Sequence, residues 1–176
     1  MSIKQFNGSY LVHEDRILFR FNTQNQEEYR FWFTRRTTLF LLAVASHLIA
    51  KKLEISHSLE AAKALDEFEK KAILEESANQ SSAPQIYESG SQFPIGAEPL
   101  LVMDISCSLT QNGERIDGAQ SNHGDKVDDA ISVDFLLPGG ANLNLKLASY
   151  TLQAMCVLLD QLRGQAGWGD PILQIK

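Results

Sequence analysis

The chain predicts an α+β fold of two units, each an antiparallel meander followed by a helix (β-β-β(-β)-α). The units are expected to pack pseudo-symmetrically, with the helices on one face of the sheets. Three observations carry this. Large apolar residues alternate through 17–33 and again through 131–147. A helical apolar stripe follows each alternating stretch. The 176 residues are 44% hydrophobic and 22% charged, a globular balance that excludes wholesale disorder and a fibrous chain. A chain of this length buries a sizeable core without staples.

The first unit spans residues 1–53. Stretches 9–21 and 29–34 are rich in aromatic and long apolar residues. Ile17, Phe19 and Phe21 point one way, and Arg16, Leu18 and Arg20 the other. Asn22-Thr23-Gln24-Asn25-Gln26 reads as a turn. Alternation resumes with Tyr29, Phe31 and Phe33 against Arg30, Trp32 and Thr34, so the pair forms a hairpin with one aromatic face. A helix follows over 37–53, striped by Leu41, Leu42, Ala45, Leu48 and Ile49, with Lys51-Lys52 at its C-terminal end. Its start, Thr34-Arg35-Arg36-Thr37-Thr38-Leu39-Phe40-Leu41, looks like a twin-arginine export signal. It comes after the hairpin, and the apolar run to Ala50 contains Ser46 and His47 and is too short to span a bilayer; it reads as a buried helix.

Residues 54–77 supply an additional helix. Ser58 serves as N-cap, and Leu65, Phe68 and Ala72 form its stripe. Residues 78–92 are rich in Ser, Gln and Gly and read as a mobile linker with one short strand. The second unit is 93–176. It holds a strand over 100–105, a polar loop over 111–129, and a hairpin of Ile131, Val133 and Phe135 against Leu143, Leu145 and Leu147. Pro138-Gly139-Gly140-Ala141 makes its turn, where positive φ explains both glycines. A helix over 149–163 with Leu152, Met155, Leu159 and Leu162 closes the unit, and Gly164 stops it.

At an offset of 114 the apolar faces of the two hairpins superimpose without a gap, and Leu41, Ala45 and Leu48 fall on Met155, Leu159 and Leu162. Only Ile17, Phe21, Thr37 and Leu48 are identical to their counterparts over 17–49, so the repeat is one of pattern. In this order of elements the chain, over 5–50 and 95–163, is similar to the whirly or PUR-type repeat. That resemblance implies single-stranded nucleic-acid binding on a sheet surface.

Charge is divided along the chain. The net charge is -6 and the sequence pI about 5.2, unlike a general DNA-coating protein. Residues 1–53 carry 8 basic and 4 acidic residues, whereas 54–176 carry 8 and 18. The outward side of the hairpin holds Arg16, Arg20, Arg30 and Trp32, with Arg35 and Arg36 just beyond. Arginine neutralises phosphate and stacks, and an indole gives a base a flat partner. The same residues dominate protein interfaces. Internal pairing of these arginines with Asp15, Glu27, Glu28 or the acidic second half is a third outcome.

Other motifs point away from catalysis. Cys107 and Cys156 form no CxxC pair and read as buried small hydrophobes in a reducing compartment. His13, His47, His57 and His123 share no metal-ligand spacing, and His47 reads as a core or boundary residue. Asp117, Asp125, Asp128 and Asp129 lack EF-hand spacing and read as a solvated loop, and His123 beside them has no nucleophile. GxxxxGK[ST], GxGxxG after a strand and GxSxG do not occur. The expectation is a non-enzymatic cytoplasmic binding or adaptor protein without cofactor, metal or membrane contact. It acts through an unknown protein partner or a second copy of itself. The alternative is single-stranded DNA or RNA bound on Arg16, Arg20, Arg30, Trp32, Arg35 and Arg36.

Overall fold

A strand with a large apolar residue at every second position must bury one face. In the computed structural model this produces two sheets. The structure describes residues 2–79, 86–111, 114–115 and 130–169. Strands β1 (Ile3–Leu11), β2 (Arg16–Thr23) and β3 (Glu28–Phe33) lead into α1 (Arg35–Ser56) and α2 (Leu59–Asn79). Then come β4 (Leu100–Leu101), β5 (Asp104–Gln111), β6 (Glu114–Arg115), β7 (Ala130–Leu136), β8 (Asn142–Leu147) and α3 (Ser149–Gln165). The first sheet has the order β1-β2-β3-β4 and the second β6-β5-β7-β8. Both meanders are antiparallel, and β4 joins β3 in parallel through Phe31/Leu100 and Trp32/Leu101. The α+β class and the β-β-β-α order expected from the sequence are therefore present.

Ile17, Phe19, Phe21, Phe31 and Phe33 are wholly buried, so the aromatic face of the first hairpin is the core. On the second sheet Ile131, Val133 and Phe135 are also wholly buried. The two inner faces meet at Phe135, whose ring lies edge-on to Phe31 at 5.3 Å and to Phe33 at 5.5 Å. Each such side chain contributes about 1.5–3 kcal/mol by leaving water. The helices cross over: α1 lies against β5 as well as β3, and α3 lies against β1 as well as β7. Gly8 admits α3, since a Cβ there would sit 2.7 Å from Leu162 Cδ1. At the offset of 114 the bounds of β3 fall on those of β8, and the first residue of α1 falls on the first of α3.

Local chemistry sets the boundaries. Thr34 caps α1, its hydroxyl accepting from the Thr37 N–H while Thr37 Oγ1 accepts from the Thr34 N–H. Gly139 and Gly140 carry φ of 76° and 81° in the β7–β8 turn, as expected. Ser58 Oγ accepts from the Ala61 N–H ahead of α2.

Several expectations are corrected. Helix α1 runs to Ser56, so Lys51-Lys52 lie before its last turn, and Lys52 Nζ donates to Ser149 Oγ at 2.9 Å. Helix α2 packs through Ala62 and Ile73; Phe68 is 70% exposed and Ala72 is also exposed, leaving only Leu65 of the expected stripe half-buried. The core offers α2 only a narrow seam on α1 and α3, and Ala62 and Ile73 fit it with the charged Asp66 and Glu69 between them. His47 is exposed on α1 rather than in the core or at its boundary. Strand β6 lies inside the stretch expected to be loop. Asp117, His123, Asp125, Asp128 and Asp129 lie outside the described residues.

Candidate binding face of the first sheet

The side of the first sheet turned from the core carries the residues singled out by sequence. Pairing sets them in rows. Gln5, Asn22 and Glu28 form one row, and Asn7, Arg20 and Arg30 the next. Ser9, Leu18, Trp32 and Leu101 form the third, which reaches all four strands. Leu11 and Arg16 follow toward the β1–β2 turn. Arg35 and Arg36 open α1 beyond the end of β3.

The first two rows are covered by the chain itself. Residues 86–97, which include most of the expected mobile linker's described part, are tied across them as a strap. Lys4 Nζ meets Glu88 Oε2 at 2.7 Å, and Asn22 Nδ2 donates to the Glu88 carbonyl. Gly90 N–H donates to Glu28 Oε2 at 2.7 Å, and Glu28 N–H donates to the Gln92 carbonyl at 2.7 Å. Gly90 must lack a side chain, because a Cβ would lie 2.6 Å from the Gln26 carbonyl oxygen and 2.9 Å from the Glu28 backbone nitrogen. Physically, an extended polar segment is fixed here by backbone hydrogen bonds, which composition does not reveal.

Both central arginines are engaged beneath the strap. The Arg20 guanidinium lies 4.4 Å from the centre of the Tyr87 ring and donates to Asn7 Oδ1 at 3.3 Å. The Arg30 guanidinium lies 4.8 Å from the Phe93 ring centre. Arg30 Nε donates to Glu28 Oε1 at 2.7 Å, and Nη1 donates to the Ala97 carbonyl at 3.0 Å. Glu28 is wholly buried and satisfied by Arg30 and Gly90 together. Arg30 is therefore paired internally with Glu28, whereas Arg20 is held by Asn7 and the Tyr87 ring, without an acidic partner among the described residues. Burial pushes the Tyr87 hydroxyl up to about 12, assisted by the negative charge of Glu28 and opposed by Arg20 and Arg30.

The third row is differently placed. Leu18, Trp32 and Leu101 are half-buried, and the side chain of Arg16 beside them makes no hydrogen bond or ion pair among the described residues. Val12 in the adjacent turn is 71% exposed. Arg36 donates to the Met103 carbonyl and lies 3.5 Å from Asp104. Met103 itself is 47% exposed, extending the apolar border. The six sequence-predicted residues thus divide into Arg20 and Arg30 beneath the strap, Arg36 engaged at the surface by Met103 and Asp104, and Arg16, Trp32 and Arg35. Sequence reasoning missed Tyr87, Gly90, Phe93 and Asn22; the signal was a tyrosine and a phenylalanine flanking an otherwise polar stretch.

At the turn beside this row, Asp15 adopts φ of 48°, a left-handed conformation that aspartate tolerates. Its Oδ1 accepts from Trp168 Nε1 at 2.8 Å and from the Tyr10 hydroxyl at 2.9 Å. The indole N–H, then the Tyr10 hydroxyl, then the charge of Arg35 hold the carboxyl below the ordinary aspartate value of 3.8. A group depressed in the fold stabilises it above the ordinary value and loses that contribution as pH falls through the depressed one. In a Trp32→Phe chain, the fluorescence of the buried Trp168 is therefore expected to hold steady down to the ordinary aspartate range and to change below it. Asp15→Asn, which keeps an acceptor but cannot titrate, should lack that step. The same step in both chains would refute this assignment.

The remaining chemistry of the described residues is muted. Burial pushes both Cys107 and Cys156 up to about 12, with lesser contributions from nearby negative groups. No group of three His, Cys, Asp or Glu among the described residues could hold a metal ion. No helix among them is long and apolar enough to cross a membrane. Compared with protein-family models, curated proteins and solved structures, the chain matches none of them.

Proposed function

We propose that the chain is a non-enzymatic binding protein that engages a protein partner, in the simplest form a second copy of itself, through the open part of the first sheet's outer face. The observation that carries this reading is the row Ser9–Leu18–Trp32–Leu101. Its Leu18, Trp32 and Leu101 are half-buried and apolar and its Ser9 is exposed, while the two rows to one side of it are covered by the chain's own strap. A tryptophan flanked by aliphatic side chains and an arginine is the composition that concentrates binding energy at protein interfaces. Two free cysteines held as thiols fit a reducing, cytoplasmic setting. The single-strand alternative retains Trp32, Arg16 and Arg35, with Arg36 already on the Met103 carbonyl and Asp104. Arg20 and Arg30, which would add phosphate contacts and stacking, already hold Tyr87 and Phe93, and this favours the protein reading.

Sedimentation velocity over a wide range of concentration tests it with the wild-type chain and Trp32→Ala. The expected result is a size that grows with concentration in the wild type and stays monomeric in the variant. A wild-type monomer throughout, together with salt-sensitive quenching of Trp32 by a single-stranded oligonucleotide, would overturn the protein reading in favour of nucleic acid. Trp32→Phe is the fluorescence control, since Trp168 is buried against Tyr10 and bonded to Asp15.

A further inference from the structure

Strand β1 is the edge of the first sheet, and among the described strands its single neighbour is β2. An antiparallel neighbour engages the backbone of alternate residues only. Gln5 N–H turns toward β2 and donates to Asn22 Oδ1 at 2.8 Å, and from Gln5 onward the register with β2 is unbroken. The N–H and carbonyl of Phe6 therefore face away from β2. Outside the β1–β2 ladder no hydrogen bond reaches either of them among the described residues. An edge left in that state is a template for a further strand.

A cleft of about 490 Å³ lies along this edge. It borders Lys4, Gln5, Phe6 and Asn7, four consecutive residues whose side chains alternate between the two faces of the sheet. A cavity that meets both sets lies beside the backbone rather than on one face. No residue of β2 borders it, and its other wall is one face of α3, with Tyr150, Ala154, Val157 and Leu158 at helical spacing. That wall is accessible: Ala154, Val157 and Leu158 are half-buried and Tyr150 is 49% exposed. Two charged residues line the cleft. Lys4 Nζ is paired with Glu88 at 2.7 Å, whereas Glu76 of α2 accepts only from the neutral Tyr150 hydroxyl at 2.8 Å and has no cation among the described residues.

We propose that this groove takes an extended segment of a partner protein as an added strand on β1, with apolar side chains at alternate positions against α3 and a lysine or arginine on Glu76. Open main-chain groups supply the affinity of such a contact, and the side-chain wall supplies its selectivity. The charge left over in the cleft is negative, so the segment is basic. The groove shares no residue with the Trp32 row, and the proposal stands whether or not that row pairs copies of the chain.

The test reads the backbone amides of the isotope-labelled full chain. In the free chain the Phe6 amide should exchange with solvent more than about tenfold faster than that of Asn7, which faces β2. The probe is a blocked pentapeptide, valine-threonine-lysine-threonine-valine, which sets both valines and the lysine on one side. It is expected to shift the Phe6 resonance and to slow its exchange. The same peptide with every amide nitrogen methylated should not bind. A glutamate in place of its lysine should weaken binding about fivefold, because attraction at Glu76 becomes repulsion. Glu76→Gln, at an exposed position and still an acceptor for Tyr150, should close the gap between the lysine and glutamate peptides. A Phe6 amide as slow as Asn7 in the free chain, equal binding of the methylated peptide, equal affinities of the lysine and glutamate peptides, or no shift with millimolar peptide would each overturn the proposal.

Discussion

Phe135→Ala is expected to lower the free energy of unfolding by about 3–5 kcal/mol, the upper range for removal of a buried aromatic ring. The ring is wholly buried and touches Phe31 and Phe33 edge-on, so it joins the inner faces of two sheets that have no common strand. Neighbours on separate sheets cannot collapse into the space without moving a whole layer, which keeps the cavity open. Denaturant unfolding should show a lower midpoint with an unchanged slope. Leu136→Ala, one residue along and 41% exposed, is the control and should stay within about 0.5 kcal/mol. A loss below about 1 kcal/mol for Phe135→Ala would mean that the sheets are held together elsewhere.

Arg30→Ala is expected to cost about 2–3 kcal/mol, because it strands the carboxylate of Glu28 under the strap. The figure sits below the range of about 3–5 kcal/mol for breaking fully buried pairs, since the Arg30 side chain retains 26% exposure. Gly90 N–H remains on Glu28 Oε2 and limits the loss further. Adding Glu28→Gln to Arg30→Ala should recover part of the stability, and the double-mutant cycle should give a coupling above about 1 kcal/mol. Simple additivity would contradict the pairing. Replacing Arg30 is thus a stability experiment first, and Trp32 is the cleaner position at which to probe binding.

The sequence carried the inner architecture well, for a physical reason. Ile17, Phe19, Phe21, Tyr29, Phe31 and Phe33 can be covered in only one way without flipping a strand, so alternation specified the buried face before any partner was known. The stripe of α3 was legible on the same ground, with Leu152, Met155, Leu159 and Leu162 all buried. On α2 periodicity misled: an apolar residue at helical spacing says that a stripe exists, not that the core has room for it. Strand β1 was faint because Lys4, Gln5, Asn7, Gly8 and Ser9 break its apolar pattern while its backbone still pairs with β2. The strap was invisible for the opposite reason. Its anchors are main-chain N–H and carbonyl groups, and its two rings meet arginines more than fifty residues distant in sequence. The residues singled out by sequence do share one face of the first sheet and its border with α1, while the strap that divides that face into occupied and open rows is a tertiary feature.

The crossing of the helices also sets a schedule for the chain during its own synthesis. Helix α1 has its seat on β5, and β1 awaits α3, so the first fifty-six residues can emerge from a ribosome with neither their strand edge nor their helix fully housed. Most of the chain must be out of the exit tunnel before the core can close. Until then the aromatic face of the hairpin is on view to chaperones and to neighbouring nascent chains. Translation speed between α1 and α3 thus becomes a variable of folding yield for this protein, independent of the stability of the finished molecule.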